Sequence, residues 1–397
     1  MRALFAYEWL KLIKKRYVLI ALAAFLLLNL LLIRVQFESR SRLADINRSA
    51  ERSMFLELFP RYEGALDADK AREIIQEVEK LEPLTRVPQG PQLSPDPRWR
   101  TGWLLRDYSV MKFLFYEPMA YAFNYPSDSA EVSQSAEADA TFYQNVGNAE
   151  QARISAELAA SMADRSIPRF SYLEPIDFLL KNEMSSLLLL LILLAAFSST
   201  FVDERESRMD ELNGSSPARN KVALAKILAA LSFLVICFIL FSLSDLLGTL
   251  MAYRISPDWG LPLYTLPAYQ FSEITLSFGA FYALSSVYRL LAFAFLTLLL
   301  LLLSSFFQRS LYAAGLGFGL ATALFFFRGA DIAPRWQFLQ RLNPLVLLDR
   351  QGLFGTFSRT NLFGRLIPTH HFALVETLLL CVVLVAFVYY RRRFGHV

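Results

Sequence analysis

Six long apolar runs interrupt the sequence, and they constrain the fold more than any other feature. An α-helix needs about 20 mainly apolar residues to cross the hydrocarbon core of a bilayer. Four of the runs contain no charge, whereas Lys226 and Glu376 each lie one turn inside a run, where a side chain can reach the interface. The pattern predicts an all-α, polytopic membrane protein with six transmembrane helices. The runs are residues 17–33, 184–202, 222–244, 290–307, 310–327 and 372–390.

Composition and motifs exclude several other classes of protein. The net charge of +4 is too small to suggest nucleic acid as a partner. Both cysteines lie in apolar runs, and the adjacent His370 and His371 have no further ligands around them in the sequence, so we expect no bound metal. The chain contains no GxxxxGK[ST] and no HExxH motif. We therefore expect no catalytic residues, no cofactor-binding residues and no ATPase site.

The distribution of Lys and Arg predicts the orientation of the six helices, because positive residues are enriched in short cytoplasmic segments. If the N-terminus is cytoplasmic, the short cytoplasmic segments hold 13 Lys and Arg in 44 residues, against 7 in 64 for the short outer segments. We therefore expect a multi-pass membrane protein with both termini in the cytoplasm.

Residues 35–176 separate the first two runs and carry a net charge of −6, whereas the rest of the chain carries +10. In the predicted orientation they form an extracytoplasmic domain. Helical periodicity predicts one helix over 67–82 and another near 149–163, and the first transmembrane helix could continue outward past residue 35. The aromatic segment 103–125, interrupted by Glu117–Pro118, is expected either in the core of this domain or on the outer leaflet. Five prolines predict an extended strap: Pro83, Pro88, Pro91, Pro95 and Pro97.

Two charged segments flank runs on the expected cytoplasmic side. Residues 1–16 combine Trp9 with Lys11, Lys14 and Lys15, which fits an amphipathic helix on the inner leaflet as well as a charged flank that fixes topology. Residues 203–221 are dense in both signs of charge, with a helix possible from 203 to 212. Mixed charge is typical of a docking surface, although a solvated turn explains it equally well.

Several of these features together resemble a type-2 ABC-transporter permease, the membrane subunit of an ABC exporter with separate ATPase subunits. YEWLKLIKKR precedes the first run, and FVDERESRMDELNGSSPARNKVALAK follows the second with an acid–Arg run, a small-residue turn, Pro–x–Arg and a Lys. LSS at 303–305 and QRS at 308–310 flank the fourth-to-fifth turn, and Asn343–Pro344 lies in the last outer loop. The resemblance covers all six runs and departs from the smallest members through the insertion at 35–176.

The resemblance implies a permease that works as a dimer, with itself or a related permease, in a bacterial cell (plasma) membrane. It would export a peptide, drug-like or lipid substrate, while ATP and Mg²⁺ would be bound by partner ABC ATPase subunits. An elbow helix would include Trp9, Lys11, Lys14 and Lys15. The coupling loop would dock the ATPase through Asp203, Glu204, Arg205, Glu206, Arg208, Met209, Asp210, Glu211, Pro217 and Arg219. The implied order along the chain begins with the elbow helix (1–16), the first transmembrane helix (17–34), the extracytoplasmic domain (35–176) and the second transmembrane helix (177–202). It continues with the coupling loop (203–221), transmembrane helices three to five (222–327), the outer re-entrant helices (328–371), and the last transmembrane helix with the basic tail (372–397).

Three alternatives stay open from the residues themselves. Asp245 in the third helix and Arg289 at the start of the fourth are either a functional polar site or a structural pair. Gly315 and Gly319 form a GxxxG motif that permits close packing within the chain or between two copies. A non-transporting membrane sensor or scaffold, acting through the extracytoplasmic domain, is the alternative function. An ion-coupled transporter is disfavoured because no internal repeat or broken helix is visible.

Overall fold

A computed structural model describes residues 1–40, 50–85, 103–209, 219–329, 340, 342–362 and 364–394, and most of them are helical. Six of the described helical stretches are long and apolar enough to cross a membrane, which confirms the prediction of a multi-pass helical membrane protein. We call them spans 1 to 6. They are Arg16–Ser39, Glu174–Glu206, Lys221–Tyr253, Phe278–Phe306, Ser310–Phe327 and Thr369–Arg391.

The described elements follow one another as a long series of helices with little sheet. The helices are α1 (Arg2–Lys14), α2 (Arg16–Arg40), α3 (Ala50–Tyr62), α4 (Ala68–Thr85), α5 (Trp103–Val110), α6 (Glu117–Asn145), α7 (Ala149–Met162), α8 (Glu174–Lys181), α9 (Met184–Phe197), α10 (Val202–Glu206), α11 (Arg219–Tyr253), α12 (Phe278–Phe306), α13 (Ser310–Phe327), α14 (Arg350–Phe354) and α15 (Thr369–Phe394). A π-helical segment, Met111–Tyr116, joins α5 to α6. Single 3₁₀ turns occupy Leu263–Thr265, Pro267–Tyr269 and Pro344–Leu348.

Two short antiparallel strand pairs add to the helices, so the all-α prediction needs this correction. Strand β1 (Gly64–Ala65) pairs with β2 (Arg169–Phe170), which closes the start of the 35–176 domain onto its end. Strands β3 (Arg359–Leu362) and β4 (Arg365–Pro368) form a hairpin just before span 6. The hairpin lies in the predicted outer loop, where only short helices were expected. The hairpin is short and contains two Arg residues, so its sequence lacks the alternation of apolar and polar residues that indicates strands.

Span 2 lies at the centre of the helical bundle. Its most apolar window is 72% buried, against 17% for span 1 and 22% each for spans 5 and 6. The helix α9 within it is apolar on every side, as expected for a helix surrounded by other helices, and it contacts α2, α11, α12 and α13. Spans 1, 5 and 6 therefore keep wide apolar faces that a bilayer or another protein must cover.

The described part of the 35–176 domain is mostly helical, as predicted, and its aromatic segment lies in the core, which is one of the two positions expected for it. Phe115 in the π-helical segment is fully buried between Phe55 and Tyr62, with both ring centroids 5.3 Å away. The same cluster includes Phe37 and Tyr253, from the ends of spans 1 and 3, whose rings are 4.8 Å apart. The core of the domain is therefore continuous with the ends of two spans.

Two features of this domain differ from the prediction, and a third, the helical form of the polar residues after 125, was not predicted from the sequence. Helix α4 extends through Pro83, which was expected to begin an extended strap, and the rest of that strap lies outside the described residues. Helix α6 continues from the π-helical segment without a break at Glu117–Pro118, because Pro118 sits in its first turn, where no backbone N–H is needed. The polar stretch after residue 125 belongs to α6 and packs on α7. Ser129 and Ser133 donate hydrogen bonds to the backbone of α7, at 2.6 and 2.9 Å.

The glycines of span 5 point in two directions. A Cβ atom added at Gly317 would lie 2.7 Å from Leu300 Cδ2, so this glycine allows α13 to approach α12. Gly315 and Gly319 have no atom within 4 Å of an added Cβ. The GxxxG pair therefore lies on the outward face of the helix and is not explained by packing against the described residues.

We expect Phe115→Ala to destabilise the 35–176 domain by about 3–5 kcal/mol, because it opens a large cavity in an aromatic core. Phe142→Ala, in the exposed part of α6, is the matched control and should change stability by less than about 0.5 kcal/mol. Limited proteolysis of the purified protein over a temperature series would measure both. Equal protease resistance of the two variants would contradict the assignment of Phe115 to the core.

Candidate functional site

Four charged side chains form a buried group at the end of the bundle where the chain begins. We call Glu8, Lys11, Glu204 and Lys226 the Glu204 cluster. Lys226 Nζ lies 3.0 Å from Glu8 Oε2 and also pairs with Glu204. Lys11 Nζ lies 3.1 Å from Glu8 Oε1 and 2.9 Å from Glu204 Oε1. The cluster joins α1, α10 and span 3.

The cluster is almost closed to solvent, which makes its charge balance essential. Lys226, Glu204 and Glu8 are 4%, 6% and 6% exposed. Buried charges are tolerated when they are paired and hydrogen-bonded, and here two ammonium groups face two carboxylates. The expectation that Lys226 would reach toward an interface is therefore wrong. Its side chain stays inside the bundle because two carboxylates are available there.

The periodicity of α1 brings Glu8 and Lys11 to the bundle. Glu8 and Leu12 are buried on one face, while Tyr7, Leu10 and Ile13 are exposed on the other. Trp9 packs edge-to-face on Phe233 of span 3, with ring centroids 5.9 Å apart. The first 14 residues thus form a helix that is bound to the bundle and keeps apolar side chains facing outward.

Lys11 is the member of the cluster nearest to solvent. Partial burial by itself lowers the pKa of Lys11, but hydrogen bonds and charge attraction from Glu204 and Glu8 outweigh burial and raise the pKa above its usual 10.5. A raised pKa in the folded state means that the stabilising contribution is complete below pH 10.5 and is lost as the pH rises through the folded-state value. The Lys11 ammonium is consequently charged throughout the neutral range.

Further contacts fasten the segment after span 2 to the rest of the bundle. Lys15 Nζ lies 2.8 Å from Asp203 Oδ2 and 3.1 Å from Ser199 Oγ. Arg205 donates to the carbonyl oxygen of Phe307, at 2.6 Å, and to that of Ser305. Arg391 at the end of span 6 donates to the same Ser305 oxygen at 3.1 Å. Spans 2, 4 and 6 are therefore held together where they end.

The predicted docking residues separate into two groups. Glu204 and Arg205 make the internal contacts described above, whereas Glu206 and Arg208 are exposed. Asp203 is also exposed, although it pairs with Lys15. Helix α10 ends at Glu206 rather than near 212, and Arg208 adopts a left-handed φ of 55°. Met209 is half-buried and, like Lys14, lines a cleft of about 300 Å³ beside the cluster. The remaining residues of this prediction are outside the described residues (Asp210, Glu211 and Pro217) or begin helix α11 (Arg219).

A second polar group lies deep in the bundle around Asp245 of span 3. Asn29 in the middle of span 1 donates to Asp245 Oδ1 at 2.8 Å, and Asn182 of span 2 donates to the same oxygen at 3.2 Å. Asn29 also donates to Ser244 Oγ at 3.1 Å. This group, the Asp245 network, links three spans through side chains only.

The prediction that Asp245 and Arg289 could pair directly is wrong. Arg289 Nη2 instead donates to Ser186 Oγ at 2.8 Å and to Ser185 Oγ at 3.3 Å, both on span 2. Span 2 supplies polar partners to both charged residues, so their side chains meet it rather than each other. Arg350 of α14, also buried, donates to the carbonyl oxygens of residues 179 and 180 on the same span, at 3.0 and 3.1 Å.

Sequence reasoning missed Glu8, Asn29 and Arg350 as members of these groups. A polar Asn in the centre of an apolar run is itself a signal, because unpaired polar groups are costly inside a bilayer. The signal for Glu8 was Lys226, whose charge inside a run requires a carboxylate from elsewhere in the chain. Nothing in the sequence around Arg350 indicated burial.

Comparisons with known proteins give no relative from which a function could be transferred. No match was found to a protein-family model, to a curated protein or to a solved structure. The function is therefore inferred from the residues and from their arrangement.

We expect Glu204→Gln to destabilise the protein by about 3–5 kcal/mol, because it leaves the buried ammonium group of Lys226 and the partly buried one of Lys11 facing one carboxylate. Adding Lys226→Met should recover much of this loss, since Glu8 and Lys11 then remain as a balanced pair. Thermal unfolding in detergent micelles measures both variants. Glu206→Gln, two residues away and exposed, is the control. The buried cluster would be refuted if Glu204→Gln and Glu206→Gln melted at the same temperature.

Proposed function

We propose that this chain is the transmembrane permease subunit of an ATP-driven exporter whose ATP hydrolysis is carried out by separate ATPase subunits. The proposal rests on the resemblance of the charged segments, on the six apolar spans, and above all on the Glu204 cluster. Its substrate would be a peptide, a drug-like molecule or a lipid. The competing function is a membrane sensor or scaffold that transports nothing.

The Glu204 cluster carries the proposal because a separate ATPase can drive a permease only through a stiff mechanical connection. The exposed Glu206 and Arg208 lie at the end of α10, which is the last part of span 2. The cluster ties α10 to α1 and span 3, and Arg205 ties it to the turn between spans 4 and 5. A force applied at Glu206 and Arg208 would therefore reach several spans at once.

This division of roles refines the docking hypothesis. Glu204 and Arg205 serve as the internal base of the coupling segment, whereas Asp203, Glu206 and Arg208 would contact the ATPase. Both signs of charge occur on this surface, which would fix the register of the partner rather than supply most of the affinity. Helix α1 would serve as the elbow helix, with its exposed apolar residues in the inner leaflet.

A permease of this kind would also need a second copy or a related permease to enclose a path. The outward face of span 5 around Gly315 and Gly319 supports such a contact, because two glycines one turn apart allow close approach of helices. Contact at this face would cover part of the apolar surface that one copy leaves open. The substrate path would then run between the two copies.

Charge reversal at Glu206 and Arg208 tests the coupling. The proposal predicts that an ABC ATPase is encoded beside this chain. The permease is co-purified in lipid nanodiscs with that ATPase, and ATP hydrolysis and complex affinity are measured. We expect Glu206→Lys and Arg208→Glu each to weaken the complex roughly two- to five-fold, since exposed ion pairs contribute about 0.2–1 kcal/mol. Glu137→Lys, an exposed charge in α6, should leave the affinity unchanged.

The outcomes of that experiment separate the two functions. An ATPase whose affinity and turnover respond to the loop variants but not to Glu137→Lys supports the permease. Absence of binding to the ATPase, or equal effects of all three variants, would refute the coupling and favour the sensor.

We expect Gly315→Leu combined with Gly319→Leu to weaken self-association without lowering thermal stability, because an added Cβ at either glycine meets no neighbour in the described part of the chain. Dimer fractions are measured by energy transfer between labelled copies in liposomes at a series of dilutions. Leu379→Phe, which enlarges an exposed residue of span 6, is the control. Unchanged energy transfer in the glycine variant would exclude this face as the contact between identical copies.

A further inference from the structure

A cleft of about 410 Å³ lies where the 35–176 domain meets the first residues of span 2. Its walls come from the π-helical segment and α6, from residues 171–181, and from the segment 266–268 that connects spans 3 and 4. Small-molecule sites commonly measure about 300–1,000 Å³ and lie between structural units. The cleft is therefore large enough for a small organic ligand, and neither the Glu204 cluster nor the Asp245 network contributes to it.

Charged side chains of one sign dominate the wall of the cleft. Glu117, Glu174 and Asp177 contribute three carboxylates, and among the described lining residues Lys181 is the one cation. Lys181 Nζ lies 2.8 Å from Asp177 Oδ2, so this wall already holds one ammonium group supplied by the chain itself. Lys181 is exposed and can move away. The arrangement favours a ligand with a positive charge.

The carboxylate of Glu174 is held in a fixed position. Tyr172 donates its hydroxyl to Glu174 Oε2 at 2.5 Å, and Tyr253 donates to Glu174 Oε1 at 3.4 Å. Each carboxylate oxygen can accept more than one hydrogen bond. Glu174 can therefore receive an ammonium group without losing either phenol, and no rearrangement of its side chain is needed.

A buried hydroxyl provides independent support for a ligand. Ser171 lines the cleft and is 5% exposed, yet its Oγ has no hydrogen-bond partner within the described protein. Unpartnered buried polar groups are rare in proteins, and each calls for an explanation. A donor group of a ligand in the cleft would satisfy this oxygen.

The rest of the wall is aromatic and apolar. Phe113 and Leu114 come from the π-helical segment Met111–Tyr116, a form of helix that is frequent at functional sites. Tyr121 and Leu266 complete this side of the cleft. Aromatic rings next to carboxylates are typical of sites for organic ammonium groups. Since Glu174 also begins a membrane span, a ligand with an apolar body could reach the cleft from the bilayer boundary.

We propose that this cleft binds a small amphipathic organic cation, with its ammonium group against Glu174, Asp177 and Ser171 and its apolar body against Phe113 and Leu266. Binding at this position would bridge the 35–176 domain, span 2 and the segment between spans 3 and 4. The proposal does not depend on an ATPase partner. It holds equally if the chain is a permease or a sensor.

The test compares 4-phenylbutylamine, which is protonated at neutral pH, with the neutral 4-phenylbutanol. Binding to the full chain in nanodiscs is measured by calorimetry, and the heat of partition into empty nanodiscs is subtracted. We expect the amine to bind more than ten-fold more tightly than the alcohol, because only the amine places a charge against two carboxylates. Glu174→Gln should weaken amine binding by roughly ten-fold or more. Lys181→Met should strengthen it, since it removes the competing ammonium.

Ser171→Ala distinguishes a binding role from a structural one. The Ser171 hydroxyl makes no hydrogen bond in the free protein, so its removal should leave the melting temperature unchanged and weaken amine binding roughly three- to ten-fold. The matched control is Thr297→Val, because Thr297 Oγ1 is another buried, unpartnered hydroxyl, located in span 4. This control should leave amine affinity unchanged.

Three results would overturn the proposal. One is equal affinity for the amine and the alcohol. Another is an amine affinity that is unaffected by Glu174→Gln and Ser171→Ala in variants that melt like the wild-type protein. The third is an equal loss of affinity in Ser171→Ala and Thr297→Val.

Discussion

The ammonium group of Lys226 lies inside the helical bundle, and much of the architecture at that end follows from the need to neutralise it. An isolated charge in an apolar interior is strongly unfavourable, so carboxylates must come from outside span 3. Glu8 lies on α1, and Glu204 lies on α10, the short helix that ends span 2. Each carboxylate also contacts Lys11. If either helix moved away from the bundle, the remaining charges would stay buried without balancing partners. The same pairing leaves Glu206 and Arg208 exposed beside a rigid base.

A related constraint operates deeper in the bundle, where span 2 supplies polar partners to its neighbours. Asn182 donates a hydrogen bond to Asp245. Ser185 and Ser186 accept hydrogen bonds from Arg289, and two backbone carbonyl oxygens accept them from Arg350. Span 2 is also the most buried of the six described spans. Hydrogen bonds to the polar end of this central helix fix how each neighbouring helix is rotated about its own axis. Apolar contacts alone would allow several such rotations.

The 35–176 domain is joined to this framework by its own core. Phe37 and Tyr253 extend the ends of spans 1 and 3 into the aromatic cluster around Phe115, and Arg359 of the β3–β4 hairpin pairs with Glu157 of α7 at 2.8 Å. Arg359 also pairs with Glu273, and although burial by itself raises the pKa of Glu273, hydrogen bonds from His370 and Arg359 lower it below its usual range. A ligand in the cleft next to Glu174 would therefore contact the 35–176 domain and the first residues of span 2 at the same time.

The apolar runs were enough to predict the number and approximate position of the spans and the helical character of the domain, because the length and periodicity of such runs are local properties. The charged segments at 1–16 and 203–221 could also be located in this way. Which of their charges face inward depends on the packing of the helices: Glu204 is buried and Glu206 is exposed, although they lie two residues apart in one charged segment. Pairing of Glu8 with Lys226 joins residues more than two hundred positions apart, and the side-chain partners of Asp245 come from two other spans. Such choices depend on how helices pack, and no local pattern encodes them.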